Sequence, residues 1–285
     1  MIRVLLLLLA WVVPAGAGEL KLASWNIAWL TTRAAGDPAL PRGLAVRGEE
    51  DFARLARYAE RLAADVVALQ EVDGPEAAAR VFDPRRWEFH FADEGDVQRA
   101  GFAWRRGLRV VRNPDLAALD LRPEARRSLR RGADITVMAE GAALRLLSVH
   151  LDSGCLYGAL AAPERRDCES LGQQASVLAG WIAARQAEGA AFGILGDFNR
   201  RIAPGDEFMA VLEQAAPLLR ATAGFSDPCW DSRYPRFITH ILLGGAARDW
   251  LVAGSLRVMV YAEREERMRA LLSDHCPVSV RVRLP

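Results

Sequence analysis

The sequence contains almost no lysine and no marked excess of either charge. Lys21 is the only lysine, and 37 basic against 36 acidic residues give a formal net charge of +1. A near-neutral balance excludes nucleic-acid binding through a general basic surface, so any phosphate-binding surface has to be local. Arginine pairs such as Arg126-Arg127 and Arg130-Arg131 are typical of solvated faces rather than of phosphate sites.

The sequence also has no repeat, no low-complexity linker and no apolar run of ~20 residues, the length that spans a membrane. The run from Val4 to Val13 is shorter, follows Arg3 and precedes Ala15-Gly16-Ala17, the pattern of a cleaved signal peptide. We therefore expect a signal peptide at residues 1–17, one domain at 18–285, and a periplasmic or secreted monomer. An uncleaved N-terminal anchor is the alternative.

The four cysteines show no two-residue spacing, which argues against a zinc knuckle. Cys155 and Cys168 flank a short segment rich in glycine, alanine and proline, and we expect a disulfide between them. Such a bridge stabilises by ~3 kcal/mol in the chain-entropy model. For Cys229 and Cys276 the sequence leaves two alternatives, a second bridge or a buried free thiol at Cys276.

Strand and helix patterns alternate along the whole chain. Predicted strands cover 20–27, 65–71, 87–92, 101–105, 108–112, 134–140, 144–150, 237–243, 250–252 and 277–284. Predicted helices cover 49–63, 76–81, 169–188 and 208–219. This mixture of hairpins and single helices predicts an α/β (α+β) fold, with two mixed β-sheets packed face to face and flanked by helices.

Polar residues follow several predicted strands. Asp197 and Asn199 stand in Gly-Asp-Phe-Asn directly after the apolar run 191–195. The same design places single polar side chains after other strands or just before the last one: Asn26, Glu71, His150 and the pair Asp274-His275. Carboxylate and amide oxygens suit a hard divalent cation. Together these residues predict a metal-dependent hydrolase.

These motifs, in this order, resemble the endonuclease/exonuclease/phosphatase superfamily and its deoxyribonuclease-I-like fold, a four-layer sandwich of two mixed sheets between helices. The resemblance spans Asn26 to His275. It implies a metal site of Asn26, Glu71 and Asp274 for Mg²⁺, or for Mn²⁺ or Ca²⁺. It also implies catalytic roles for four residues near the scissile phosphate: His150, Asp197, Asn199 and His275.

The chain departs from this family at Thr239, where the family usually carries an aspartate that orients the last histidine. Threonine can accept a hydrogen bond from His275 but brings no charge to an imidazolium. Removing such a carboxylate can lower the rate by orders of magnitude. We therefore expect a slow enzyme, unless Asp231 or Asp227 replaces the missing carboxylate.

The superfamily acts on several phosphoesters, so the fold alone does not choose the substrate. Export and the arginines Arg99, Arg105 and Arg106 favour a nuclease, because arginines hold phosphates. Trp230 and Tyr234 could stack on bases, and core packing is the alternative role for these two aromatic residues. The alternatives are a phospholipid or sphingomyelin phosphodiesterase, a phosphatase, and a non-catalytic binding protein. Whether cleavage is internal or terminal, and whether one or two metals act, is left open.

Overall fold

Two six-stranded β-sheets pack face to face in the computed structural model, which describes residues 18–125, 128–139, 141–230 and 236–285. The strands are β1 (Glu19–Leu30), β2 (Val66–Val72), β3 (Trp87–Phe91), β4 (Arg99–Arg105), β5 (Arg109–Arg112), β6 (Ala133–Ala139), β7 (Ala142–His150), β8 (Ala191–Asp197), β9 (Leu218–Arg220), β10 (Thr239–Gly244), β11 (Arg257–Val258) and β12 (Val278–Arg283). The helices are α1 (Glu49–Leu62), α2 (Pro75–Ala78), α3 (Arg166–Ala187), α4 (Glu207–Glu213), α5 (Ala247–Trp250) and α6 (Glu266–Leu271), with a 3₁₀ turn at Ala117–Leu119.

The first sheet has the order β11-β12-β1-β2-β4-β3 and the second the order β5-β6-β7-β8-β10-β9. One central pair in each sheet is parallel, β1 with β2 and β7 with β8, whereas the remaining pairs are antiparallel. Both sheets are therefore mixed, as the sequence predicts. Because the carboxyl ends of parallel strands lie at one edge, each sheet delivers two strand ends to the same place.

Helices cover the outer face of each sheet and complete four layers. Helix α1 packs Phe52 and Leu55 onto the first sheet, and helix α3 packs Leu171 and Leu178 onto the second. The inter-sheet core contains apolar side chains of both sheets, among them Leu22, Phe102, Leu146 and Ile241. The predicted fold is confirmed.

Side-chain alternation along the strands decides which polar residues reach the interior. In β1, Ala23, Trp25 and Ile27 pack toward α1, whereas Leu20 and Leu22 pack into the inter-sheet core. With a period of two, Asn26 follows Leu22 onto the inter-sheet face. The same parity places polar strand-end residues of the second sheet on the facing surface: His150 with Leu144 and Leu146, Asp197 with Leu195, and Thr239 with Ile241.

Two local predictions are wrong. The helix predicted at 208–219 ends at Glu213, and Leu218–Arg220 is a strand. Pro217 explains the difference, because proline disfavours helical conformation in the residue before it. The strand predicted at 250–252 is a short helix, Ala247–Trp250, followed by a single bridge from Leu251 to Val282.

Among the described residues, no helix combines the length and apolar character needed to cross a bilayer. The predicted signal peptide at 1–17 lies outside the described residues, as do Asp231 and Tyr234.

Candidate active site

The ends of β1, β2, β7 and β8 bring two carboxylates together around one amide. The Asn26 side-chain nitrogen donates to Glu71 Oε1 and to Asp197 Oδ2, both at 3.0 Å. Its oxygen accepts the backbone N–H of Ala28 at 2.9 Å. Asn26 thus joins the two sheets, and its nitrogen, rather than its oxygen, faces the two acids.

Glu71 reaches this cluster through an unusual backbone conformation. Its neighbours Leu69 and Val67 pack toward α1, so simple alternation would direct Glu71 the same way. Instead Glu71 has a φ of +58°, and the pairing of β2 with β4 is irregular between Leu69 and Val72. A non-glycine residue in this region costs about 1–3 kcal/mol and is typical of functional sites.

Hydrogen bonds hold the other oxygen of that carboxylate. Glu71 Oε2 accepts the Trp29 N–H at 3.3 Å and the side-chain amide of Gln98. Gln98 in turn accepts a hydrogen bond from Arg130 through its oxygen. Arg130, Gln98 and Glu71 thus form a chain of hydrogen bonds, which fixes the orientation of the Glu71 carboxylate.

His150 adds a neutral nitrogen to the group. Its Nε2 lies 3.7 Å from Glu71 Oε1 and 3.8 Å from Asp197 Oδ2, while its Nδ1 is buried without a hydrogen-bond partner among the described residues. Burial, reinforced by the charge of Arg130, lowers the pKa of His150 to about 3. Donor atoms of Glu71, His150 and Asp197 all lie within 4.8 Å of one another.

His275 has the opposite electrostatic character. Burial lowers its pKa, but the surrounding carboxylates outweigh burial, so the pKa is raised overall. These carboxylates belong to Asp197, Asp274, Glu71 and Asp227. Its Nε2 lies 3.4 Å from Asp197 Oδ2 and 4.0 Å from Asp274 Oδ1. The site therefore contains one neutral histidine and one that favours the cation.

The far nitrogen of His275 contacts Thr239. Thr239 Oγ1 lies 3.2 Å from His275 Nδ1, and Thr239 is buried in β10, paired with Asp197. The residue that departs from the expected aspartate thus occupies the orienting position. Asp227 is close enough to raise the pKa of His275 by its charge, whereas Asp231 lies outside the described residues.

The segment after Asp197 fixes that carboxylate through a tight turn. The Asn199 backbone N–H donates to Asp197 Oδ1 at 2.9 Å, and Asn199 has a φ of +49°. Its side-chain nitrogen donates to the Leu151 carbonyl at 3.0 Å, so the amide positions backbone here. Glycine is required at 196, because a Cβ there would lie 2.0 Å from the Val149 carbonyl oxygen.

Arg47 closes the back of the site from the loop before α1. Its guanidinium donates five hydrogen bonds, all to backbone carbonyls near the ends of β1 and α6: Ile27, Ala28, Trp29, Leu271 and Leu272. Burial lowers the pKa of Arg47 to about 10, so the group stays charged at neutral pH. It fixes two backbone segments that carry site residues.

A second support lies beneath His275. The Tyr261 hydroxyl donates to the His275 carbonyl at 2.9 Å and accepts the Trp25 indole N–H at 2.9 Å. A disulfide between Cys229 and Cys276 ties the residue after His275 to the neighbouring loop. Of the two alternatives that the sequence leaves open for this pair, the structure has the bridge. It also has the predicted bridge between Cys155 and Cys168.

Two of the three arginines predicted to contact substrate, Arg99 and Arg105, lie at opposite ends of β4. Arg99 pairs with Val72, at the end near Glu71. Arg105 pairs with Trp87, stacks over that ring at 4.3 Å and donates to the Ala64 carbonyl. Six residues of strand separate them, or about 20 Å. The structure therefore places Arg99 at the end of β4 near Glu71, where its guanidinium donates to the Asp96 carbonyl, and Arg105 at the distant end.

Comparison with known proteins agrees with this geometry. The sequence model described as the Endonuclease/Exonuclease/phosphatase family matches residues 23–275. This chain belongs to the endonuclease/exonuclease/phosphatase family. No curated protein matches it in sequence.

Solved structures of this family show the same fold at low identity. AP endonuclease LMAP from Leishmania major is 15% identical, with a TM-score of 0.60 over 94% of this chain and 88% of that one. Truncated TDP2 from Caenorhabditis elegans is 16% identical, with a TM-score of 0.58 over 93% and 98%. TDP2 from D. rerio, complexed with a single-strand DNA product, is 17% identical, with a TM-score of 0.56 over 92% and 98%.

The sequence does not predict that Arg47, Gln98 and Arg130 support the candidate active site. The sequence pattern places Arg130 on a solvated face, whereas in the structure it contacts Gln98 and its charge lowers the pKa of His150. All three come from loops or strand starts distant in sequence from the residues they contact. No local pattern in the chain signals such contacts.

Proposed function

We propose that this chain is an exported, divalent-metal-dependent phosphodiesterase that acts on nucleic acid. The observation that carries the proposal is the convergence of Glu71, His150 and Asp197, whose donor atoms lie within 4.8 Å of one another. Two carboxylates that accept hydrogen bonds from a single amide lie close together in a buried environment. A nearby cation would strongly stabilise their negative charges. Family membership supports the same class of reaction.

The donor chemistry fits a hard divalent metal such as Mg²⁺, Mn²⁺ or Ca²⁺. Glu71 belongs to two donor sets, the predicted one with Asn26 and Asp274 and the compact one with His150 and Asp197. It is therefore the ligand we propose first. When bound, the metal would neutralise charge on the phosphoryl and leaving oxygens.

The remaining groups have separate roles in hydrogen bonding and proton transfer. His275 favours the cation and presents Nε2 toward Asp197, so it is suited to donate a hydrogen bond to a phosphoryl oxygen. Asp197 is held by Asn26 and by the Asn199 N–H, and we assign it the orientation and deprotonation of the attacking water. His150 stays neutral and contacts both acids.

Nucleic acid is the substrate we favour over lipid. Arg130 contacts Gln98 at the site, and Arg99 lies at the end of β4 near Glu71, so we assign both to phosphates flanking the reacting one. The D. rerio neighbour was solved with a single-strand DNA product, which supports this choice. Export is supported by the two disulfides and by the pattern at residues 1–17.

The test compares the chain from Gly18 with its Glu71→Gln variant. We expect hydrolysis of single- and double-stranded DNA and of bis-p-nitrophenyl phosphate that EDTA abolishes and Mg²⁺ or Mn²⁺ restores. Glu71→Gln should lose ~10²–10³-fold in turnover, the scale of one principal electrostatic contact. Glu76→Gln, an exposed glutamate in the same region, is the matched control and should keep full activity.

Activity that persists in EDTA, or a fully active Glu71→Gln enzyme, would refute the metal role. Mn²⁺ binding measured by calorimetry in Asp274→Asn and Asp197→Asn distinguishes the two donor sets without relying on turnover. Preferential hydrolysis of sphingomyelin would replace the nuclease by the lipid alternative. Metal binding without hydrolysis of any substrate would favour the non-catalytic alternative raised by Thr239.

A further inference from the structure

Tyr157 stands out because it is an exposed aromatic residue on a firmly held loop. The described part of the chain exposes three large hydrophobic residues, Val111, Tyr157 and Phe225, and Tyr157 is 51% exposed. A single exposed hydrophobic residue is ordinary on a protein surface. The contacts around Tyr157 are what give it significance.

The first set of contacts holds the loop backbone. Cys155, two residues before Tyr157, is bridged to Cys168 at the start of α3. The buried guanidinium of Arg200 donates to the carbonyls of Cys155 at 3.3 Å and of Gly158 at 2.9 Å, and forms an ion pair with Asp206 at 2.9 Å. The backbone on both sides of Tyr157 is thus fixed.

The loop is also held just beyond this point. The carboxylate of Glu207, in the first turn of α4, accepts the backbone N–H groups of Leu160 and Ala161. Three independent restraints therefore act within seven residues: a disulfide, a buried arginine and a carboxylate. Ordering this much loop costs conformational entropy, and these three restraints offset that cost.

The second set of contacts fixes the ring itself. Arg201 Nη1 donates to the Tyr157 hydroxyl at 2.7 Å, and the guanidinium carbon lies 5.3 Å from the ring centroid. The backbone N–H of Arg201 donates to the Leu156 carbonyl at 3.1 Å. Tyr157 and Arg201 form one pair, in which an exposed ring lies beside the guanidinium of a half-buried arginine.

This pair lies close to the candidate active site. The loops after β7 and β8 leave the cluster side by side, first joined at Asn199 and Leu151, then at Arg201 and Leu156. Arg201 is four residues from Asp197, so their backbones lie within about 14 Å. No more than about four nucleotide steps of a DNA strand cover that distance.

We infer that Tyr157 and Arg201 form a stacking platform for a nucleobase of a single-stranded segment a few nucleotides from the cleaved phosphate. This inference rests on the proposed nuclease function and extends it to the substrate. An aromatic face stacks on any base, and arginine adds a cation–π contact and attraction to the adjacent phosphate. The restraints on the loop keep the ring in place before the strand arrives.

The experiment measures binding and turnover separately. Affinity for a fluorescent single-stranded 12-mer of thymidines is measured once with Ca²⁺ and once with EDTA. The proteins compared are the native chain and the variants Tyr157→Ala, Tyr157→Phe and Arg201→Met. Turnover of bis-p-nitrophenyl phosphate, too small to reach the platform, is measured for the same proteins. A 12-mer of abasic nucleotides keeps the phosphates and removes the bases.

We expect Tyr157→Ala to bind the thymidine 12-mer about tenfold more weakly, the effect of losing one base stack. Tyr157→Phe should bind nearly as well as the native chain, because it keeps the ring. Arg201→Met should weaken the binding of both oligomers, whereas Tyr157→Ala should bind the abasic oligomer normally. Turnover of the small diester should be unchanged in all three.

Equal affinity of the native chain and Tyr157→Ala for the thymidine oligomer would overturn the platform while leaving the proposed function intact. Equal losses for the thymidine and abasic oligomers in Tyr157→Ala would also overturn it, because base stacking would then not be the contact. Failure of the native protein to hydrolyse any diester would instead refute the proposed function. The binding comparison would still decide the platform.

Discussion

Replacing Thr239 by aspartate should raise turnover. Thr239 Oγ1 lies 3.2 Å from His275 Nδ1, near the long limit for a hydrogen bond, and both residues are buried. A hydroxyl can donate or accept, so it does not fix which nitrogen of His275 carries the proton. A carboxylate only accepts, so it would hold a proton on Nδ1 and favour the imidazolium, whose Nε2–H already faces Asp197.

The magnitude follows from the type of hydrogen bond. A neutral hydrogen bond contributes about 0.5–1.5 kcal/mol, and one to a charged group about 1.5–3 kcal/mol. The two kinds of hydrogen bond differ by about 1.4 kcal/mol. If this difference lowers the activation free energy when His275 contacts the phosphate, turnover rises about tenfold. Metal affinity should change little, because residue 239 contacts the far side of the imidazole.

The assay is steady-state hydrolysis of bis-p-nitrophenyl phosphate at saturating Mg²⁺, with circular dichroism to verify folding. Thr239→Asn is the matched control: it has nearly the volume of aspartate but no charge, and should give no gain. A folded Thr239→Asp enzyme with lower turnover would refute the reasoning. Asp227→Asn in the native background would then show whether Asp227 already orients His275.

Two further predictions concern stability. Replacing both Cys155 and Cys168 by alanine should lower the free energy of unfolding by about 3 kcal/mol, because the bridge closes a loop with a sequence separation of 13; chemical denaturation measures it, and an unchanged midpoint would contradict it. Burial raises the pKa of Glu94 from 4.5 to about 7, so the folded protein retains a proton that the unfolded chain has lost. The free energy of unfolding should therefore fall as pH rises from 4.5 to 7, by about 3 kcal/mol. Glu94→Gln should remove this pH dependence. The free energy of unfolding is measured by urea titration at several pH values, and the same change with pH in both proteins would show that Glu94 is not responsible.

The sequence predicts those parts of the site that depend on strand periodicity. Every second side chain of a strand lies on the same face of the sheet. Asn26, His150 and Asp197 therefore share the inter-sheet face with the apolar residues two positions and more before them. Glu71 reaches the cluster only through a positive φ, which no pattern of hydrophobic residues signals. The sequence places Glu71 after a predicted strand, and its role as a metal ligand is implied by the resemblance to the family.

Loop contacts escaped prediction for a different reason. Arg130 and Gln98 meet Glu71 because three separate segments converge, and convergence is a property of the folded chain. Arg105 shows the reverse error: its position in β4 is on the correct strand but at the wrong end. A sequence indicates which strand carries a residue more readily than which end of that strand faces a site.

Arg47 has a consequence for how the site behaves when metal is scarce. Many small metal sites acquire their shape only when the ion binds, so binding and folding are one event. Here five backbone carbonyls are already held by a cation that is covalently part of the chain. A chelator can strip a metal from the protein but cannot strip Arg47. The acidic edge therefore keeps a permanent counter-charge and its backbone shape, so the site need not refold each time the metal concentration changes.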